Sequence, residues 1–379
     1  MQHTSIDYFL LHLSLIEGIG PATTMRIMER ISIEQIDQLY TMSTQELASR
    51  CSLSLTQAQT IATGLADTSL LERECEVITK NSILWMTVAT ADYPTLLKHI
   101  YAPPPVVYWR GILPRTQHAI AVVGSRNATP YGQRVIDRVL PDIIQAGGTI
   151  ISGGALGIDT IAHRKSLELG GNTTVVLGSG LLHCYPHANK KLFQAIVDAG
   201  GCLMSPFAPN IQPYPGNFPA RNRIIAGLAQ ITLVVQASQK SGALITAQYA
   251  LDQGREVMAV PGPIDDPLSE GCNTLIAQGA TVVTNASPIL QALGLSPQIA
   301  QQQQPKVTAP ADDIPPVQIA AILTPEGKLL KMCKEPHSID ELIDAALVDT
   351  PDQLVQLLFD LQLAGKIQQD FTGRWQTDL

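Results

Sequence analysis

Between residues 106 and 295 short apolar runs alternate with stretches of helical periodicity. Ala119-Ile120-Ala121-Val122-Val123 is a continuous apolar run of strand length, as expected of a strand covered on both faces. A helix is predicted from about Pro130 to Ala146. Thr149-Ile150-Ile151 reads as a second strand, followed by a helix after Gly157. Thr174-Val175-Val176-Leu177 reads as a third. Ile231–Val235 and Glu256–Val260 continue the series, and Val282-Val283 ends it. Strand, glycine-rich turn, helix, repeated, predicts a Rossmann-like α/β domain: a parallel sheet with helices on both faces.

The flanks have other patterns. Residues 1–66 read as a helical domain of the SAM or helix-hairpin-helix kind. Its turn Gly18-Ile19-Gly20-Pro21 either presents backbone amides to a phosphate or simply joins two helices. Residues 67–105 read as a connector that ends in the Pro103-Pro104-Pro105 run. Residues 296–318 hold Gln301–Gln304 and five prolines, the composition of a solvated linker. Residues 319–379 recover periodicity. Helices over Gly327–Cys333, after Ser338 and over Gln353–Leu363, then a terminal hairpin, predict a winged helix. The Gln353–Leu363 helix has no Lys or Arg, so a protein-contact or regulatory role suits it better than major-groove reading.

Composition removes several classes of function. No window of 18 uncharged apolar residues exists, so no membrane span is expected. Met1–Glu17 has no Lys or Arg, carries Asp7, and reads as an amphipathic helix and not as a signal peptide. The six cysteines form no C-x-x-C pair and suit neither zinc nor a disulfide framework; a reducing, cytoplasmic setting is expected. The net charge of −8 argues against a globally basic nucleic-acid binder. Residues 106–290, however, hold 13 Lys and Arg against 10 Asp and Glu. A DNA site would therefore be a local basic pocket in the central domain.

Ligands of open α/β sheets bind at the carboxyl ends of the strands. Three segments are expected there. Gly124-Ser125-Arg126 follows the first strand and offers close backbone approach, a hydroxyl and a forked cation. Ser152-Gly153-Gly154-Ala155-Leu156-Gly157-Ile158-Asp159 joins the second strand to a helix N-terminus. Phe218-Pro219-Ala220-Arg221-Asn222-Arg223 supplies a ring to stack on a base and cations for phosphate. A Lys240-Ser241-Gly242 turn follows the Ile231–Val235 strand.

These motifs, in this order, resemble the DNA-processing protein A (DprA, also called Smf) family. Val123–Arg126 with Thr129-Pro130-Tyr131-Gly132 is similar to its opening motif. Ser152–Asp159 with Ala162-His163 is similar to the second, and Tyr185-Pro186, Asn189 and Leu192 to the third. Phe218–Leu228 is the most distinctive. Ser241–Ala247, Ala259-Val260-Pro261-Gly262 and Gly271–Ile276 complete the set. The resemblance implies a cytoplasmic homodimer that binds single-stranded DNA through its Rossmann-like domain, protects it, and helps load a RecA-type recombinase during natural transformation. A single-strand-binding protein is a further implied partner; neither cofactor, metal nor catalysis is implied. Carried over by motif, the DNA-binding residues are Gly124, Ser125, Arg126, Gly153, Gly154, Phe218, Arg221, Asn222, Arg223, Lys240, Ser241 and Gly242. The chain departs from the family pattern at Pro215, where a lysine often stands three residues before the phenylalanine, and at Pro206, where an acidic residue is common.

Three other readings stand beside this one. A dinucleotide oxidoreductase would need G-x-G-x-x-G after the first strand; the nearest run, Gly178-Ser179-Gly180-Leu181-Leu182-His183, fails at its last position. A nucleotide-processing enzyme related to nucleoside hydrolases would have proline where Ser152 stands. A metal site could use Asp159 and His163, four residues apart on one helix face, but no third ligand is evident.

Overall fold

Six helices precede the first strand in the computed structural model, which describes residues 3–32, 35–114, 116–295 and scattered positions between 329 and 376. They are α1 (Ser5–Leu15), α2 (Pro21–Arg30), α3 (Ile36–Leu39), α4 (Thr44–Arg50), α5 (Leu55–Ala66) and α6 (Ser69–Lys80). Asp7 ties α1 to the chain beyond α6. One carboxylate oxygen accepts from the Thr4 amide at 2.9 Å, closing the first turn, and the other accepts from the Thr87 and Thr90 hydroxyls. Burial alone would raise the Asp7 pKa. The hydrogen bonds from Thr4, Thr87 and Thr90 outweigh it and hold the carboxyl below its ordinary range.

The strands β1 (Leu84–Thr87), β2 (Val106–Gly111), β3 (Ala119–Val123), β4 (Thr149–Ser152), β5 (Thr173–Val176), β6 (Cys202–Ser205), β7 (Ile231–Val234), β8 (Glu256–Ala259) and β9 (Thr281–Val282) form one nine-stranded sheet. Its order is β1-β2-β6-β5-β4-β3-β7-β8-β9. The seven strands from β6 to β9 are parallel, and β1 and β2 are added antiparallel at the β6 edge. Between them run α7 (Thr95–Lys98), α8 (Pro130–Gln145), α9 (Ile158–Glu168), α10 (Lys190–Asp198), α11 (Asn217–Leu228), α12 (Gly242–Asp252) and α13 (Glu270–Ala277), and α14 (Ser287–Ala292) follows β9.

The period of two in a strand divides β3 between two cores. Ala119, Ala121 and Val123 pack with Ile224, Ile225 and Leu228 of α11 and Ala247 of α12. Ile120 and Val122 pack with Ile136, Leu140 and Ile143 of α8 and with Ile289 of α14. The first of these cores runs on into the N-terminal helices through Phe9, Leu10, Leu13, Leu47 and Ile61. The apolar alternation thus reads correctly as α/β layering. The pattern does not predict β2 or β6. Leu203 and Met204 of β6 are helix formers by propensity, and only pairing with β5 and β2 makes the segment extended.

The chain divides into two compact units, Met1–Gln301 and Gln302–Leu379. In the second, Leu354, Leu358 and Leu361 are buried at the spacing of one helix face, with Ile367 and Trp375 in the same cluster. Two short antiparallel strands, β10 (Gln368–Gln369) and β11 (Trp375–Gln376), lie at its end. The expected linker at 296–318 and most of the expected winged-helix segments lie outside the described residues. No helix among the described residues is long and apolar enough to cross a membrane.

Candidate nucleic-acid interface

Read from β3 outward in either direction, the strand order shows where a ligand belongs. From β3 the chain proceeds to β4, β5 and β6 on one side, and resumes at β7, β8 and β9 on the other. The connections leaving β3 and β7 therefore diverge, and a crevice opens at their carboxyl ends. A cleft of about 400 Å³ occupies that point.

The turn after β3 is held from two sides. Gln236, just past β7, accepts the Ser125 amide on its backbone carbonyl at 2.7 Å. Its side-chain amide accepts from the Thr129 N–H and donates to the Thr129 hydroxyl, at 3.1 and 2.9 Å. Ser125 returns its own carbonyl to the Ile158 amide of α9. Gly124 allows this closeness, since a Cβ there would stand 2.6 Å from the Ile158 side chain. Gly157 is constrained twice: its φ of +78° favours glycine, and a Cβ would stand 2.2 Å from the Ser125 carbonyl. With the turn so fixed, Arg126 is left exposed to solvent.

The turn after β4 wraps around Asp159, whose carboxylate accepts the Gly153 and Ala155 amides at 3.1 and 3.2 Å. Arg221 closes the other side. Its Nη1 donates to the carbonyls of Gly153 and Val176, and the residue is only 4% exposed. A Cβ on residue 153 would meet this guanidinium, so glycine is required there for packing. Burial pushes the Asp159 pKa up, opposed by the nearby Arg221 charge and by its hydrogen bonds. Burial likewise lowers the Arg221 pKa to about 10.

Helix geometry then sorts the third segment. Phe218, Arg221 and Asn222 stand at i, i+3 and i+4 on α11 and share a face. The Phe218 ring lies 5.8 Å from the Arg126 guanidinium carbon and 6.0 Å from that of Arg221. Tyr185 approaches the ring at 5.8 Å, tilted by 55°. Gly178 makes room for it, as a Cβ there would come within 2.7 Å of the ring. Asn222 accepts from Arg221 Nε and donates to the Gly242 carbonyl, joining α11 to the start of α12. Ser241 caps α12 by accepting the Ala243 amide.

The structure thus brings Gly124, Ser125, Arg126, Phe218, Arg221, Asn222, Ser241 and Gly242 to one cleft. Gly153 lines a smaller hollow of about 60 Å³ behind Arg126 and Phe218, with Leu156 and Tyr185. Three expected site residues stand elsewhere. Gly154 is buried against Phe193 and Val175. Lys240 lines a neighbouring hollow with Ile245 and Tyr249. Arg223 donates to the carbonyls of Tyr101 and Ala102. Two positions along a helix from Arg221 is a rotation of about 200°, so the two arginines cannot share a face. That signal was present in the sequence. Gln236, which orders the whole first turn, carried no sequence signal because its partner Thr129 lies 107 residues away.

His163 is fully buried, and its Nδ1 lies 2.7 Å from the Thr173 hydroxyl. That hydroxyl donates to the Ile150 carbonyl, so Nδ1 must carry the proton that it accepts. Nε2 is left with no partner. Burial first, then the Arg221 charge, lowers the His163 pKa to about 3. No group of three metal-ligating side chains exists among the described residues. Because the unfolded chain protonates His163 near its ordinary value of about 6.5, the folded state binds fewer protons below that. Its contribution to stability is therefore present above about pH 6.5 and lost as pH falls toward 3. Urea titrations at several pH values should show this fall flattened in His163→Gln; an unchanged slope would contradict the assignment.

The family model described as DNA recombination-mediator protein A matches residues 85–294. The chain belongs to this family. The match spans the sheet from β1 to α14 and includes every cleft residue named above. Among similar proteins, Protein Smf of Synechocystis is 34% identical over 325 residues, 77% of this chain and 79% of that protein. Protein Smf of Escherichia coli is 40% identical over 248 residues, 65% of each chain. The solved structure of DNA processing protein A from Streptococcus pneumoniae aligns with a TM-score of 0.65 at 32% identity. It covers 77% of this chain and 98% of that one.

Proposed function

We propose that the cleft captures single-stranded DNA without chemical turnover. The observation that carries this is the exposed Arg126 guanidinium over the Phe218 ring, at the point where the strand order reverses. Phosphate is drawn to the cation and to the N-terminus of α12, and an unpaired base has a ring to stack on. The carboxylate lining this cleft, Asp159, is committed to two backbone amides and beside Arg221, so it neither repels the backbone strongly nor stands free as a general base. Duplex DNA, its bases already stacked, gains only the phosphate contacts.

The family's description as a recombination mediator, and the relatives' names as DNA-processing proteins, support a role in DNA processing during transformation. In this reading the protein protects the strand and passes it to a RecA-type recombinase in the cytoplasm. It acts as a homodimer, with a single-strand-binding protein as a further partner. The N-terminal helices form a SAM or helix-hairpin-helix-like domain, and the C-terminal unit a winged helix that contacts protein. Lys240 and Arg223 serve as outlying cations.

Fluorescence anisotropy with labelled single and double strands tests the cleft. Arg126→Ala should weaken single-strand binding roughly tenfold, about 1.4 kcal/mol for an exposed charged contact. The slope of log K against log salt should become shallower by about 0.7. Equal affinity and slope in variant and wild type would remove Arg126 from the site; equal affinity for the two DNA forms would remove the stacking role.

A further inference from the structure

Another hollow opens farther along the same sheet edge. The helix that follows the Arg126 turn, α8, carries Arg134 and Arg138 at i, i+4, on one face and exposed. Neither has a carboxylate within ion-pair distance among the described residues. The acid between them, Asp137, is taken by Lys165 at 2.8 Å. Both arginines line a hollow of about 410 Å³ whose floor is Val135, Val139, Val260 and Val283. Tyr131 forms one wall. Its hydroxyl donates to the Pro261 carbonyl, which fixes the ring, and the Arg134 guanidinium carbon lies 5.9 Å from the ring centroid.

We propose that this hollow is a second phosphate-and-base subsite, through which a single strand held in the cleft continues. The inference rests on reading the cleft as a single-strand site. Val260-Pro261 follows β8 and Val283 follows β9, so the hollow lies at the same carboxyl edge, beyond β7. Asn127 lines the cleft and Tyr131 the hollow. Four residues separate them, at most about 14 Å of chain. A stacked strand covers that in about four nucleotides at roughly 3.4 Å each. Two exposed cations, without an ion pair among the described residues, meet the backbone there. The valine floor and the fixed tyrosine meet the apolar faces of sugar and base.

The test compares thymidine oligomers of about four and about twenty nucleotides. They are titrated against the wild-type chain, Arg126→Ala, and the double variant Arg134→Ala/Arg138→Ala. Both arginines are exposed, so the fold should survive, and circular dichroism checks it. The double variant should match wild type on the short oligomer. On the long one it should bind about tenfold more weakly at low salt, with a slope shallower by about 1.4 for two lost phosphate contacts. Lysine at both positions should restore the slope. Unchanged affinity and slope on the long oligomer, while Arg126→Ala still weakens both, overturns the second subsite and leaves the cleft reading intact. Equal losses on both lengths also overturn it. Failure of the wild-type chain to bind either oligomer defeats the cleft reading itself.

Discussion

Arg221→Ala should lower the unfolding free energy by about 3–5 kcal/mol, the cost of breaking a buried charged network by removing one member. The residue is 4% exposed, and its guanidinium donates to the carbonyls of Gly153, just past β4, and Val176, the last residue of β5. Alanine leaves both carbonyls buried without that donor, and leaves Asp159 without the cation beside it. Lysine keeps the charge but not the planar fork, so Arg221→Lys should fall between the two. A second consequence arises through His163. The Arg221 charge is one of the two causes that hold that imidazole near 3, so its pKa should rise in the variant. Urea unfolding at neutral pH measures the first effect. A loss under about 1 kcal/mol would show that the carbonyls find other donors and that Arg221 is free for ligand.

Phe218→Ala should weaken single-strand binding by about 1–3 kcal/mol for each base that stacks on the ring. The ring borders both the large cleft and the small hollow beside Tyr185, so the loss should lie toward the upper end. No charge is removed, and the salt slope should therefore stay at its wild-type value, unlike that of Arg126→Ala. Phe218→Leu separates stacking from packing. Leucine still covers Gly178 and should keep most of the stability, yet offers no π face to a base. Anisotropy across a salt series reads both quantities. Wild-type affinity in both variants would exclude stacking on this ring.

The route from sequence to site was legible where the signal was local. The β3 run, each glycine turn and the i, i+3, i+4 placement of Phe218, Arg221 and Asn222 are each contained within a few consecutive residues. Arg221 itself shows where that kind of reading stops. An arginine beside a phenylalanine and an asparagine looks like a phosphate ligand, but burial turns its Nη1 inward to two carbonyls. Arg126, by contrast, is exposed because Gln236 and Ile158 hold the turn beneath it. Nothing near Arg126 or Arg221 in the chain distinguishes their fates.

By itself, then, the order of residues determined the layered α/β architecture, the positions of the strand-to-helix turns, and the net positive charge of the central segment within an acidic chain. Only the tertiary structure decided that β7 lies beside β3, that the turns following both strands share one cleft, and which arginines remain available to a ligand. The physical reason is range. Periodicity reports which side of an element a residue occupies, because that depends on backbone geometry over a few positions. Strand order and burial depend on contacts such as Thr129 with Gln236, made between segments more than a hundred residues apart.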